Sequence, residues 1–401
     1  MKNIYLDNAA STKTDLKVVK AMLPYFTEKY GNASSKHIMG QEAKRALEES
    51  RSNIAKSLKA KAEEIIFTSG GTESNNFALK GIAFANRKKG KHIITSKIEH
   101  DCVLNTCKWL EKNGFDVTYI PVDNYGFVNP EDVENALRKN TILVSVMHAN
   151  NEIGTIEPIA EIGKICKEHE IYFHTDACQS FTKVPLDTKK QNIDLISINA
   201  HKIHGPKGVG ALFIRRGTKI ETCAHGGGHE FGLRSGTENV PGIVGFAKAV
   251  KLCRKEHIKY MKKLRDRLIQ GVLEIENTEL NGPREKRLCN NANFSFKNIE
   301  GEAIGAYLDS RGISTSTGSA CSSHTLETSH VLTAIGLNPR DANSSLRMSL
   351  SRFNTMEEIK YVLDVLPKVV EKLRKISPFS KLRKSVYDVF KKSNATFSKS
   401  A

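Results

Sequence analysis

Short apolar runs alternate with longer amphipathic stretches along most of the chain. The runs at 64–68, 92–95, 117–120, 141–147, 171–175, 194–198 and 209–214 have strand length. Helical spacing fills the intervals between most of them, and a long charged amphipathic helix precedes them at 41–58. Alternation of this kind predicts crossover units and a mainly parallel sheet covered on both faces, an α/β fold. After 214 the pattern changes. A Gly-rich loop at Gly226, Gly227 and Gly228 leads into two long helical stretches over 242–274. A smaller α/β unit then follows, with strands near 292–296 and 345–349 and a helix over 355–375. The expected organisation is an N-terminal segment (1–15), a large domain (16–255), a smaller C-terminal domain (256–376) and a basic tail (377–401).

Composition adds little to that outline and removes some functions. A chain of 401 residues with one Trp, 28 Gly and 11 Pro is ordinary for a globular protein. Its formal net charge of +17 suits nucleic acid, acidic partners or an anionic cofactor. The lysines are scattered, however, and the one dense basic stretch is at the C-terminus, so the charge reads as solvated surface and no nucleic-acid partner is expected. The eight cysteines form no Cys-x-x-Cys pair and suggest reduced thiols rather than a disulfide framework. The N-terminus has no apolar signal core and no stretch is long enough to span a membrane, so a cytoplasmic protein is expected.

Ligands in parallel sheets bind beyond the carboxyl ends of the strands, and polar residues gather there. The run at 194–198 ends in Asn199, Ala200, His201 and Lys202, then turns at Gly205, Pro206 and Gly208. A lysine at the rim of an apolar sheet is poorly solvated, which favours the nucleophilic amine that Schiff-base chemistry needs; a surface lysine after a strand is the plainer alternative. The run at 64–68 ends in Ser69, Gly70, Gly71, Thr72, Glu73 and Ser74, either an anion site at a helix N-terminus or a well-capped helix. Asp176 and Gln179 follow the run at 171–175. They suit a protonated ring nitrogen and a phenolate-like oxygen, although Asp176 taken alone reads first as a plain helix cap. Asn150 and Asn151 offer amide donors, and His100 is placed to stack on an aromatic ring. Arg347 carries a planar fork for a carboxylate, with a surface salt bridge as the alternative. Between the two strands of the small unit lies Ser314-Thr-Ser-Thr-Gly-Ser-Ala-Cys321-Ser-Ser-His324, which predicts a mobile loop over 314–330 bearing one thiol.

With these residues in place the chain resembles the cysteine desulfurases, in particular the long-loop branch that serves nitrogenase and iron–sulfur cluster assembly. The matching segments are Tyr-Leu-Asp-Asn-Ala-Ala from Tyr5, Thr-Ser-Gly-Gly-Thr-Glu-Ser-Asn from Thr68 and Ala-Asn-Asn-Glu-Ile-Gly-Thr from Ala149. Ala-His-Lys-Ile-His-Gly-Pro-Lys-Gly from Ala200, Arg-Ser-Gly-Thr-Glu-Asn from Arg234, Gly-Ser-Ala-Cys-Ser-Ser from Gly318 and Ser-His-Val-Leu from Ser329 complete the set. The resemblance implies a pyridoxal 5′-phosphate enzyme of fold type I, aspartate aminotransferase-like, acting as a homodimer. By that resemblance Lys202 carries the cofactor, His100 stacks on its ring, Asp176 pairs with the ring nitrogen and Gln179 contacts the ring hydroxyl. Gly71, Thr72, Asn199, Ala200 and His201 surround the phosphate, and Thr237 reaches the phosphate of the neighbouring subunit. Asn151 and Arg347 orient the carboxylate of L-cysteine, and Cys321 accepts its sulfur as a persulfide, leaving L-alanine. An iron–sulfur scaffold or a thiolation enzyme then takes the sulfur. No resident metal is predicted, and Cys321 is the one place where a transient iron–sulfur contact is foreseen.

The chain departs from the residues usual in that family at Ala33 (Pro), Asn199 (Ser), Phe231 (Arg) and Ser351 (Gly). The tail carries Lys381, Arg383, Lys384, Lys391 and Lys392 with Leu382, Val386, Val389 and Phe390 at helical spacing; it reads as a solvated tail, with a partner-docking helix as the alternative. Two other functions fit the same motifs: a selenocysteine lyase or other pyridoxal-dependent lyase, and a catalytically silent scaffold of a sulfur-transfer complex.

Overall fold

The computed structural model describes residues 3–317 and 328–377; Cys321 and the basic tail beyond Ser377 lie outside them. The chain opens with Ile4–Tyr5 (β1), Leu16–Met22 (α1), Pro24–Thr27 (α2) and the twenty-residue Ile38–Ser57 (α3). Helix α3 starts a turn earlier than the apolar spacing indicates, because the His37 side chain accepts the backbone N–H of Gly40 and caps it. Next come Ile65–Thr68 (β2), Gly71–Asn86 (α4), His92–Ser96 (β3), Asp101–Lys112 (α5), Asp116–Ile120 (β4) and Pro130–Asn135 (α6). Thr141–Ser145 (β5), Ile159–Glu168 (α7), Tyr172–Asp176 (β6), Leu195–Asn199 (β7) and Gly210–Ile214 (β8) complete this part.

Strands β2 to β8 form one seven-stranded sheet in the order β2-β8-β7-β6-β5-β3-β4. Only β8 runs against the rest. The connection 200–209 holds no helix and is too short for a crossover, so β8 must return antiparallel beside β7. Every residue of β2, β3, β5, β7 and β8 is buried, as helices on both faces require, while the edge strand β4 is partly exposed.

Val240–Leu252 (α8) packs back on α3 and α1, and Lys255–Val272 (α9) leads to the smaller unit. There Thr278–Leu280 (β9), Asn291–Phe296 (β10) and, further on, Ser345–Ser349 (β12) form an antiparallel sheet in the order β12-β10-β9. Gly301–Asp309 (α10), Ile313–Ser314 (β11), His330–Ala334 (α11), Pro339–Asn343 (α12) and Met356–Ile376 (α13) complete the described chain, with α10 packed on β12 and α12 on β10. The chain's beginning joins this unit: β1 pairs in parallel with β11, and Ile4 and Leu6 enter the apolar cluster of Leu264, Phe294, Leu346 and Leu366.

One buried ion pair fastens the Gly-rich loop. Arg51, 2% exposed on the inner face of α3, makes a two-pronged contact with Glu230 at 2.7 and 2.9 Å, and Glu230 also accepts the backbone N–H of Phe67 at 2.7 Å. Glu230 and Phe231 both take left-handed backbone angles (φ 48 and 59). The exposed Phe231 ring, standing where the family usually has Arg, sits 5.0 Å over the Arg51 guanidinium.

Candidate active site

The ends of β2, β3, β5, β6 and β7 bring most of the sequence-predicted residues to one edge of the large sheet. Asp176 is the last residue of β6 and only 6% exposed. Its Oδ1 accepts the backbone N–H of Cys178 at 2.8 Å, so it shapes the following turn, and its Oδ2 accepts Asn75 Nδ2 at 2.6 Å. Asn199 ends β7, and its Oδ1 accepts the Lys202 backbone N–H at 3.3 Å, fixing the lysine turn. Ala200 is buried within that turn. The N-terminal segment clasps it from outside: the backbone N–H and hydroxyl of Thr12 donate to the His201 carbonyl at 2.9 and 2.7 Å. Gln179 belongs to the same fastening, donating to the Ala9 carbonyl at 2.9 Å.

Gly71 begins α4 against these residues. A Cβ there would stand 2.5 Å from Cys178 Sγ and 3.4 Å from Asn199 Nδ2, so the close approach of helix to strand end requires glycine. The preceding residue, Gly70, offers no side-chain cap, while Ser74 is turned inward to Thr68. The first-turn N–H groups of α4 are therefore not satisfied by a capping side chain, which favours the anion-site reading of this segment. Thr72 is exposed at that first turn.

His100 caps α5 through Nδ1, which accepts the Cys102 backbone N–H at 3.2 Å. Burial, then the charge of Lys202, holds its imidazole below the usual range, opposed by Asp176 and Asp101. His201 is pushed down to about 4 by burial and by Lys202, Lys207 and Lys183, and so is neutral.

Arg347 is 4% exposed on β12, which excludes the surface salt bridge. Its Nη1 donates to the Asn151 carbonyl at 3.1 Å, and its Nη2 to Asp7 Oδ1 at 3.0 Å and Ser316 Oγ at 3.3 Å, while Nε has no partner. Both ends of the Ser- and Thr-rich run are anchored: Ser314 lies in β11, and Ser329 Oγ donates to Glu152 at 2.6 Å. Thr237 stands apart, exposed in the loop ahead of α8, and no hydrogen bond among the described residues ties it to the cluster.

Three residues of this edge escape the sequence reading. Asn75 lies four residues beyond Gly71, hence on the same helical face, and that spacing was the available signal. Cys102 accepts from Asn75 Nδ2 at 3.1 Å. Glu99 is fully buried, accepting from Ser96 Oγ at 2.7 Å and the Met147 N–H at 2.8 Å, and burial pushes its carboxyl up to about 8; nothing in its neighbours marks it out.

The Aminotransferase class-V family profile matches residues 4–362. The chain is 56% identical over 382 residues to "Cysteine desulfurase IscS" of Methanosarcina thermophila, covering 94% of this chain and 95% of the relative. The protein of the same name from Dictyoglomus turgidum is 55% identical, with 94% and 97% covered. Among solved structures, a "NifS-like protein" superposes with a TM-score of 0.87 at 42% identity, covering 92% of this chain and all of that one. "SspA in complex with cysteine" gives 0.80 at 39% identity, covering 88% and 100%. With the profile spanning nearly the whole chain and relatives this similar over their full length, the chain belongs to the class-V aminotransferase family, whose members depend on pyridoxal 5′-phosphate.

Proposed function

We propose that the chain is a cysteine desulfurase, removing sulfur from L-cysteine to give L-alanine and a persulfide on Cys321. The observation that carries this reading is the placement of Lys202, on the turn that Asn199 caps, at the same sheet edge as the Asp176 carboxylate held by Asn75.

The residues present fit the family's cofactor. The uncapped first turn of α4, with Gly71, Thr72, Asn199, Ala200 and the neutral His201 beside it, suits the phosphate. Asp176 suits the ring nitrogen, Gln179 the ring oxygen and His100 the ring face. Bound pyridoxal phosphate supplies an electron sink for the pair left when a bond at the amino acid's α-carbon breaks. The rest falls to the protein. Lys202 Nζ holds the cofactor, then takes the α-proton of the substrate. Arg347 and Asn151 hold the substrate carboxylate, which keeps that proton directed at the lysine. Cys321 attacks the substrate sulfur: an S–S bond forms, the C–S bond breaks, and the carbon keeps the bonding pair and takes up a proton.

The exposure of Thr237 supports its reaching a neighbouring subunit rather than its own site. Exposed Leu16, Leu23, Phe26, Tyr30 and Ile38 supply apolar surface for a second copy, so the proposed assembly is a homodimer. The proposed sulfur acceptor is an iron–sulfur scaffold protein or a thiolation enzyme, and the proposed compartment the cytoplasm; among the described residues no helix is long and apolar enough to cross a membrane.

The test is alanine and sulfide release from L-cysteine by wild type, Lys202→Ala and Cys321→Ser. A yellow wild type, a colourless and inactive Lys202→Ala, and a Cys321→Ser that gains no sulfur by mass spectrometry are expected. A colourless wild type, or equal sulfide from wild type and Cys321→Ser with reductant present, overturns the reading.

A further inference from the structure

The hydrogen bonds that start at Asp176 continue past Asn75. Asn75 Nδ2 spends its two hydrogens on Asp176 Oδ2 at 2.6 Å and Cys102 Sγ at 3.1 Å. Cys102 Sγ in turn lies 3.1 Å from His100 Nδ1, the atom that accepts the Cys102 backbone N–H at 3.2 Å. A ring nitrogen accepting a backbone N–H carries no proton of its own. The thiol must therefore be the donor in the S–H···N contact, and every link from Asp176 to His100 has a fixed direction.

We infer that Cys102 is a positioning residue that holds His100 in the tautomer protonated at Nε2, so that the ring offers an N–H rather than a lone pair on its Nε2 side. Two donors on Nδ1, the backbone N–H and the thiol, both favour the unprotonated nitrogen there. The thiol can serve throughout the neutral range because burial and the carboxylate of Asp176 push it up to about 12. The charged groups facing His100 from neighbouring elements are Lys202 on the lysine turn, Asp176 at the end of β6, Asp101 on α5 and His330 on α11. His330 is itself engaged by the Glu99 carbonyl at 2.8 Å, so it does not compete for Nδ1. The inference rests on the desulfurase reading only for the use made of the Nε2–H; the tautomer stands on the hydrogen-bond directions alone.

The test is nitrogen-15 NMR of histidine-labelled holoenzyme, with the His100 signals assigned by their loss in His100→Gln. Wild type should show Nδ1 unprotonated and Nε2 protonated. Cys102→Ala leaves the backbone N–H as the one donor to Nδ1, so the Nε2-protonated form should still dominate, with a minor Nδ1-protonated fraction appearing. With one donor to the neutral ring removed, His100 protonates more readily, so the acid limb of kcat/KM for L-cysteine should move up by about half a pH unit. Cys102→Ser, whose hydroxyl also donates, should restore both. A wild type protonated at Nδ1, an alanine variant with no Nδ1-protonated fraction and the wild-type profile, or a serine variant that behaves like alanine overturns the inference. If Cys102→Ala does not fold, the wild-type and serine spectra decide. A holoenzyme that binds the cofactor yet forms no alanine from cysteine would instead refute the functional reading, and the tautomer result would stand.

Discussion

Arg347 and Asn151 are joined by a 3.1 Å hydrogen bond from Nη1 to the backbone oxygen, which ties a strand of the smaller sheet to the turn after β5 of the larger one. The same guanidinium reaches Asp7 and Ser316, so its planar fork is fully positioned before substrate arrives. Arg347→Lys keeps the charge and loses the fork. We expect KM for L-cysteine to rise by about ten- to a hundredfold with a smaller change in kcat, since a charge-assisted hydrogen bond contributes about 1.5–3 kcal/mol. Initial-rate kinetics check it; an unchanged KM would remove Arg347 from substrate binding.

Gly71→Ala places a methyl 2.5 Å from Cys178 Sγ, and the buried Cys178 has little room to yield. Overpacking of this kind costs about 1–3 kcal/mol. Cofactor affinity should fall and the melting temperature drop, while Gly71→Ala combined with Cys178→Ala should recover much of both. Cofactor titration and thermal unfolding across the four-protein cycle measure the coupling.

Glu99 gives stability a pH dependence with a definite sign. Its carboxyl rises from the ordinary 4.5 to about 8 on burial, so between those values the native state holds a proton that the unfolded chain has lost. Stability must then fall as pH rises through that window. Glu99→Gln does not titrate. Denaturant unfolding at pH 5 and pH 8 should show the variant gaining on wild type by a few kcal/mol, on the order set by the size of the shift. A constant difference between the two pH values would mean Glu99 is ionised in the native protein.

Glu230→Ala takes from the Arg51 guanidinium, 2% exposed, its buried two-pronged partner and leaves it one carboxylate, that of the more exposed Glu48, 3.3 Å from Nε. Removing one partner of a buried pair costs about 3–5 kcal/mol. Arg51→Met with Glu230→Leu leaves no uncompensated buried charge and should cost less than Glu230→Ala or Arg51→Met alone. Chemical denaturation of the three variants decides; additive losses would mean the two side chains act independently.

Sequence periodicity made the large sheet legible because five of its seven strands are buried over their whole length and read as short apolar runs. The sheet edge was legible for the same reason, since Asp176, Asn199 and Lys202 each stop such a run. What sequence did not carry was pairing at a distance. Ile4 faces Ile313 across two-residue strands too short to leave a pattern. Arg51 sits in a charged helix that reads as solvated, and its partner lies 179 residues away. Strand β9 has only three residues, and no alternation is visible in so few. Cys102 and Glu99 gain their chemistry from burial, which neither residue type announces.

Residues 4–6 take their backbone partners from far along the chain. Ile4 and Leu6 lack backbone partners until the segment from Ile313 to Ser349 emerges, because Ile4 lies opposite Ile313 in the ladder and the Ser349 backbone N–H donates to the Leu6 carbonyl. Thr12, six residues on from Leu6, settles over the carbonyl of His201, one position ahead of Lys202. A nascent fragment ending after β8 would hold both Thr12 and His201, the two sides of the clasp beside the lysine, yet leave the backbone of Ile4 and Leu6 unpaired until the rest of the polypeptide has been threaded.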